Sequence, residues 1–257
     1  MTHLVPLTDL TGYLDAYLRI REVPDEPNAL NGLQAECRSG SVSRIVAAVD
    51  ASLETISAAA AESPTLLLVH HGLFWDGNVP LTGRRYRRAR ALLDHDIALY
   101  SAHIPLDVHP EVGNNHVLAR QLGLTDLALF ASYQGTPLGV HGRLDPGIAR
   151  DSFVDRVNTL LGVGAKLIPG GPEACNRVGV ITGGAGSAIR AACDAGLDTY
   201  VTGEGAHHTF FDAMELGINT IYAGHYATET VGVKALAEHL SLAFGLPWEF
   251  HDHPTGL

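Results

Sequence analysis

The chain has 257 residues, 46% of them hydrophobic, with 17 Lys and Arg against 28 Asp and Glu and a formal net charge of −11. That length and apolar content suit one large α/β domain or two smaller ones, and they exclude a disordered chain. The acidic balance argues against a general nucleic-acid-binding surface, which needs clustered Lys and Arg, and no segment reaches the roughly eighteen uninterrupted apolar residues of a membrane span.

Cys37, Cys175 and Cys193 are widely spaced and form no CxxC pattern, which fits a reducing compartment and argues against a thiolate metal site. The first residues, MTHLVPLTDLTGYLDAYL, hold neither the basic stretch nor the apolar run of a signal peptide, so the cytoplasm is the expected location.

Strand then alternates with helix. SRIVAAVD (43–50) reads as a strand, ASLETISAAAAE (51–62) as a helix, TLLLVH (65–70) as a strand, RYRRARALLDHD (85–96) as a helix and IALYSAH (97–103) as a strand. Residues 125–176 hold a β-like LALFASYQGTPLGVHGRLD, a helix-like SFVDRVNTLLGV and the turn-rich IPGGPEACN. The second half resumes with RVGVITG (177–183), SAIRAACDAG (187–196), DTYVTGE (198–204), FFDAMELG (210–217) and NTIYAGH (219–225), then a final helix from about Thr230 to Phe244. Such alternation predicts an α/β fold with mostly parallel sheets covered by helices on both faces.

The chain also aligns on itself. At one constant offset His70 and His71 fall on Gly203 and Glu204; at a second, Tyr100 falls on Tyr222, His103 on His225 and Asp107 on Glu229. The repeated Tyr-x-x-His-x-x-x-acid pattern carries the argument for a duplicated α/β unit. A first unit over 1–125 is expected, followed by a crossover segment and second unit over 126–257, whose last helix can pack back on the first.

The strand ends carry the chemistry. His70 and His71 sit at the carboxyl end of a parallel strand, the edge where open α/β sheets place ligands. Neighbouring strand residues point to opposite faces, so the two rings are expected to diverge and to serve two ions rather than chelate one. An isolated HH pair is more simply one core histidine and one exposed one. Here, however, His103 and Asp107 follow the next strand, in a segment read as a loop because Pro105 disfavours αR at Ile104, and His225 and Glu229 follow another, with a spacing that shares a helix face if the last helix begins by then. Imidazole with carboxylate suits Zn, Mn, Fe or Co rather than Ca, and a shared acid suits a two-metal site.

Weaker candidates surround these. Glu204 and His208, in TGEGAHH, are placed to move protons or orient substrate, with an acid at a helix N-terminus as the plain alternative. GGAGS (183–187) matches no phosphate-binding pattern and reads as a tight βα turn. RRYRRAR (84–90), with five arginines in seven positions, is a solvated helix face or a rim that contacts anions through Arg84, Arg85, Arg87 and Arg88. HDH at 251–253 lies in a terminal tail.

In order and spacing, NGLQ (31–34), VAAVDASLETISAA, HHGLFW (70–75), SAHIPLD (101–107), TGEGAHH (202–208), GHYATE (224–229) and FHDHP together resemble the Nif-three-like dinuclear-metal-centre proteins, some of which are labelled GTP cyclohydrolase type-two homologue. The resemblance spans nearly the whole chain. It implies duplicated, intertwined three-layer α/β/α units with a metal pair in a cleft, assembled as a hexameric ring, a trimer of dimers. It also implies two divalent transition-metal ions (Zn, Mn or Fe) held by His70, His71, Asp107, His225 and Glu229, with Glu229 the candidate bridge. The family's acidic residue ahead of NGLQ is replaced here by Ala29 and Leu30, and the Arg cluster is denser than the family pattern.

The leading functional expectation is a metal-dependent hydrolase acting on a small phosphorylated or nucleotide-like substrate, with His103, Glu204 or His208 moving protons. The rival is a metal-binding or metal-delivery scaffold whose ring serves assembly. No base-stacking constellation is visible in the sequence, so the cyclohydrolase label has no support of its own.

Overall fold

Branched apolar runs bounded by turns become strands, and alanine- and leucine-rich stretches become helices, in the computed structural model, which describes residues 3–60 and 64–257. In chain order, the elements up to residue 107 are β1 (Val5–Pro6), α1 (Leu7–Tyr17), β2 (Gly32–Ala35), β3 (Ser41–Val42), β4 (Arg44–Asp50), α2 (Leu53–Ala59), β5 (Thr65–His71), α3 (Gly83–Asp94), β6 (Ile97–Ser101) and α4 (Ile104–Asp107). They continue with α5 (Asn114–Gln121), β7 (Thr125–Tyr133), β8 (Thr136–Ala149), α6 (Arg150–Leu161), β9 (Lys166–Pro169), β10 (Ala174–Val180), α7 (Ile189–Asp194), β11 (Thr199–Thr202), α8 (Thr209–Leu216), β12 (Asn219–Tyr222), α9 (His225–Phe244) and β13 (Trp248–Phe250). Residues 61 and 62 of the helix expected over 51–62 lie outside the described residues.

Two compact units divide the chain: 1–112 with 232–253, and 113–231 with 254–257. The first is built on a five-stranded sheet in the order β13-β4-β5-β6-β2, parallel from β13 to β6 and closed by antiparallel β2. In β5, Leu66, Leu67, Leu68 and Val69 are all fully buried, as a strand covered on both faces requires. One side of that sheet packs Val46, Ala48, Leu67, Val69 and Leu99 with Ile56 of α2 and Leu92 of α3. Helix α1 has no counterpart among the elements read from sequence, although Leu7, Leu10 and Leu14 form its buried stripe.

The second unit holds a six-stranded sheet in the order β7-β8-β10-β11-β12-β9. Its centre, β10-β11-β12, is parallel; β8 and β9 pair antiparallel on either side, and β7 pairs antiparallel with β8. Tyr200 and Ile218 anchor a core shared with Ile189 and Ala192 of α7 and Ala213 of α8. The two sheets thus repeat a parallel centre in which strand ends deliver side chains to one edge.

Helix α9 starts at His225, earlier than the Thr230 expected from the apolar pattern. Polar residues in its first turn hide the periodicity there, while Gly224, at φ +88, makes the turn that lets the helix begin at once.

Truncating Leu67 at the centre of β5 removes fully buried volume that the sheet cannot refill. Leu67→Ala is expected to destabilise the protein by about 2–5 kcal/mol, read as a shift in the denaturant midpoint at unchanged m-value.

Candidate metal centre

In the first unit, β5 ends on His70 and His71, with His71 in register with Asp50 at the end of β4. The rings do not diverge as the strand rule predicts. Their centroids lie 4.7 Å apart, and one ligand atom from each of His70, His71 and His103 falls within a sphere where all lie within 4.8 Å of one another. The cause is at the strand ends. His70 Nδ1 donates to the carbonyl of Ala102, just beyond β6, at 2.8 Å, and His71 Nδ1 donates to Asp50 Oδ1 at 2.9 Å. Each imidazole is tethered by a different neighbouring strand, so both lean over the same edge.

The segment after His103 is a helical turn, α4, rather than the expected loop. Pro105 occupies the first turn, where its missing N–H is no loss, and the Asp107 N–H donates to the His103 carbonyl at 3.1 Å. That turn carries the buried Asp107 back to the sheet edge, Oδ1 lying 3.6 Å from His70 Nε2.

His103 is itself held from a distant loop. Its Nδ1 donates to Asp25 Oδ1 at 2.8 Å, while Asn31 Nδ2 and the Ile104 N–H donate to Asp25 Oδ2. Burial would raise the Asp25 carboxyl, but the hydrogen bonds from His103 and Asn31 outweigh it and hold the carboxyl below its usual range. Asn31 also accepts from the His103 N–H at 2.7 Å. The indole of Trp75 stands edge-on to His103, with centroids 4.8 Å apart.

The second unit carries a matching arrangement. His225 opens α9 and Glu229 follows one turn later, so His225 Nε2 and Glu229 Oε1 meet at 3.2 Å. His225 Nδ1 donates to Glu204 Oε1 at 2.8 Å, from the loop after β11. The hydrogen bond to Glu229, opposed by burial and reinforced by Glu204, pushes the His225 pKa up to about 9. Two carboxylates that stabilise a proton on this ring also suit a metal cation in its place.

Glycines make the room. A Cβ on Gly183 would fall 2.3 Å from Glu229 Oε1, and one on Gly203 would fall 2.7 Å from His225 Cα. Gly183 of GGAGS therefore makes room for a carboxylate at a tight βα turn. Gly183 has φ +68, a conformation that also favours glycine on its own account.

The donor set fits a transition metal. His70, His71, His103 and His225 each direct Nδ1 at an oxygen acceptor, which leaves Nε2 to carry a lone pair or a metal, the arrangement that outer-shell partners impose on ligating histidines. No thiolate takes part among the described residues, and buried Asp107 and Glu229 add hard oxygen donors.

Among the other residues singled out from sequence, Glu204 joins the His225 cluster, whereas His208 is exposed at the start of α8 and belongs to neither group. Arg84 pairs with Asp76, Arg85 donates to the carbonyls of Val79 and Gly77 and lies over the Phe74 ring, and Arg90 pairs with Asp94. Those three arginines brace the surface loop before α3 and the helix itself. Arg87 is exposed and Arg88 half-buried on the same helix. His251 and His253 each pair with a different glutamate, Glu249 and Glu54.

Sequence reasoning missed Asp25, Asn31 and Asp50. Asp50 was within reach, as an acid ending a parallel strand beside β5. Asp25 carries no local signal in the sequence.

Comparison with known proteins agrees over nearly the full chain. The family described as Duf34/NIF3 (NGG1p interacting factor 3) matches residues 5–254. A Deinococcus radiodurans protein named GTP cyclohydrolase 1 type 2 homolog is 47% identical over 97% of this chain and 94% of its own length. A Halobacterium salinarum protein of the same name is 40% identical over 98% and 99%. The crystal structure of TTHA1606 from Thermus thermophilus superposes with a TM-score of 0.89 at 44% identity, covering 98% of this chain and 100% of that one.

Two outcomes test the geometry. The depressed Asp25 carboxyl contributes stability that is present above its unfolded value of 3.8 and is lost as pH falls through its lower folded value. Thermal melts from pH 5 downward are expected to show a shallower acid loss in Asp25→Asn than in the parent, starting from a lower plateau. Gly183→Ala forces a Cβ against Glu229 at a positive φ and is expected to lower stability by about 1 kcal/mol or more and to weaken metal uptake, measured by denaturation and by metal analysis.

Proposed function

We propose, from the premise that this chain belongs to the Duf34/NIF3 family, that it is a cytoplasmic metal-dependent hydrolase with two divalent transition-metal ions, Zn, Mn or Fe, acting on a small phosphorylated or nucleotide-like substrate. His70, His71 and Asp107 from the first unit and His225 and Glu229 from the second would hold the ions. The observation that carries the reading is the shared second layer: every one of these histidines has its Nδ1 proton engaged by an oxygen within 2.9 Å, so each ring is preset to present Nε2. The resemblance to a dinuclear-metal family supplies the pairing of the two groups.

When bound, the ions would lower the pKa of a shared water and polarise a phosphoryl or carbonyl-like oxygen. The chain's own residues do the rest. His103, fixed at Nδ1 by Asp25, offers Nε2 as a group that can take or return a proton beside His70 and His71. Glu204 orients the His225 ring, and the Trp75 indole stands edge-on to both His103 and His71. The half-buried Arg88 remains a candidate to attract a phosphorylated group toward this edge.

The test joins metal content to turnover. Protein reconstituted with Mn, Fe or Zn is expected to bind two ions per chain, and Asp50→Ala to weaken metal affinity by roughly 10- to 100-fold through loss of the His71 tether. Assays on nucleotides, cyclic purine derivatives and phosphate esters are expected to find an activity that His71→Ala abolishes. A flat response across metals and substrates, together with rapid metal transfer to a partner, would favour a delivery scaffold instead.

A further inference from the structure

The second unit contains a cavity of about 470 Å³ beside the His225 cluster's Glu204. Its volume lies within the range of small-molecule sites. Lys166, Glu204, His207, Phe210, Phe211 and Tyr222 line it. Phe210 and Phe211 are 44% and 51% exposed, with ring centroids 5.4 Å apart, and His207 adds a third ring 5.8 Å from Phe211. Two adjacent phenylalanines left open to solvent at a concave site, their rings edge to face, offer a flat ligand one aromatic face and one aromatic edge.

The polar groups are as specific as the rings. The Lys166 ammonium makes no ion pair among the described residues, so its charge is available to the cavity. Glu204 Oε1 accepts from His225 Nδ1, which makes this carboxylate common to the cavity and to the metal-ligand cluster. The wall behind is fixed: the Tyr222 hydroxyl is hydrogen-bonded to Thr209, whose hydroxyl donates to the Ala206 carbonyl at 2.5 Å. Gly205 is required there, because a Cβ would fall 2.3 Å from Tyr222 Oη.

We propose that this cavity binds a flat heteroaromatic ring that bears an amino or N–H donor and is joined to an anionic group. The ring stacks on Phe211 and meets Phe210 edge-on, the anion pairs with Lys166 Nζ, and the donor bonds to Glu204. A ligand so placed presents its ring to the carboxylate that orients His225. Binding itself requires neither metal nor turnover; only its identification as the substrate site rests on the hydrolase reading.

Adenosine monophosphate, adenosine and ribose 5-phosphate separate the parts. Titration calorimetry on the full-length, chelator-treated protein is expected to show adenosine monophosphate binding about tenfold or more tightly than either fragment. Phe211→Ala is expected to weaken it about tenfold, and Lys166→Met to weaken it comparably while leaving adenosine unchanged; salt should weaken the nucleotide and not the nucleoside. Circular dichroism confirms that each variant is folded. No binding by the parent, or binding indifferent to both substitutions, would overturn the proposal. So would a Phe211→Asp variant that breaks up an oligomer in sedimentation while keeping nucleotide affinity, since the aromatic pair would then be an interface between copies. A protein that takes up no metal yet binds the nucleotide as described would sink the dinuclear reading and leave the cavity assignment standing.

Discussion

An imidazole offers a cation one nitrogen reliably only when the proton on the other is held in place. That constraint runs through both units of this chain. Four histidines direct Nδ1 at an oxygen acceptor within 2.9 Å: a main-chain carbonyl for His70, and Asp50, Asp25 and Glu204 for His71, His103 and His225. The acceptors are where they are because parallel strands end together. Asp50 lies in register with His71, and the Ala102 N–H donates to the Val69 carbonyl, continuing the ladder that brings its own carbonyl to His70. Removing the sheet's register would remove the tethers before it removed the imidazoles.

The duplication seen in sequence is a duplication of this solution. In each unit a parallel strand, β6 or β12, passes into a helix with a histidine at its head and an acid four residues on. His103 precedes the four-residue helix that contains Pro105 and ends on Asp107, whose carboxylate faces His70, whereas His225 and Glu229 meet at the head of a twenty-residue helix. The outer support differs. Asp25 reaches His103 from a loop near the N-terminus, whereas Glu204 reaches His225 from the adjoining strand end, and Gly183 and Gly203 clear space that only the second copy needs. The two copies share the spacing of histidine and acid and differ in what each side chain meets.

The Arg-rich helix shows how a motif can be visible without its purpose being so. RRYRRAR forms α3, and Leu92 on that helix is buried in the first unit's core. Yet Arg84 and Arg85 are engaged by Asp76 and by two carbonyls of the preceding loop, so much of the charge is structural. The aromatic pair at Phe210 and Phe211 is the reverse case. In sequence, FFDAMELG is one more element of the strand–helix alternation; only the cavity beside it, with Lys166 paired across the sheet from Tyr222, gives the rings a polar context.

What the sequence determined by itself was the alternation of strand and helix, the duplication, and the residue types at the strand ends. Those signals are local or repeat at a constant offset, so periodicity exposes them. Tertiary structure decided the rest: that the rings of His70 and His71 converge, that IPLD closes a turn, that α9 begins at His225, and that Asp25 and Asp50 are the carboxylates holding His103 and His71. Each depends on a hydrogen bond or a backbone turn whose partner is set by strand register or by a loop far off in the chain. No pattern of apolar residues encodes such a pairing, because the energy that selects it exists only once the strands lie side by side.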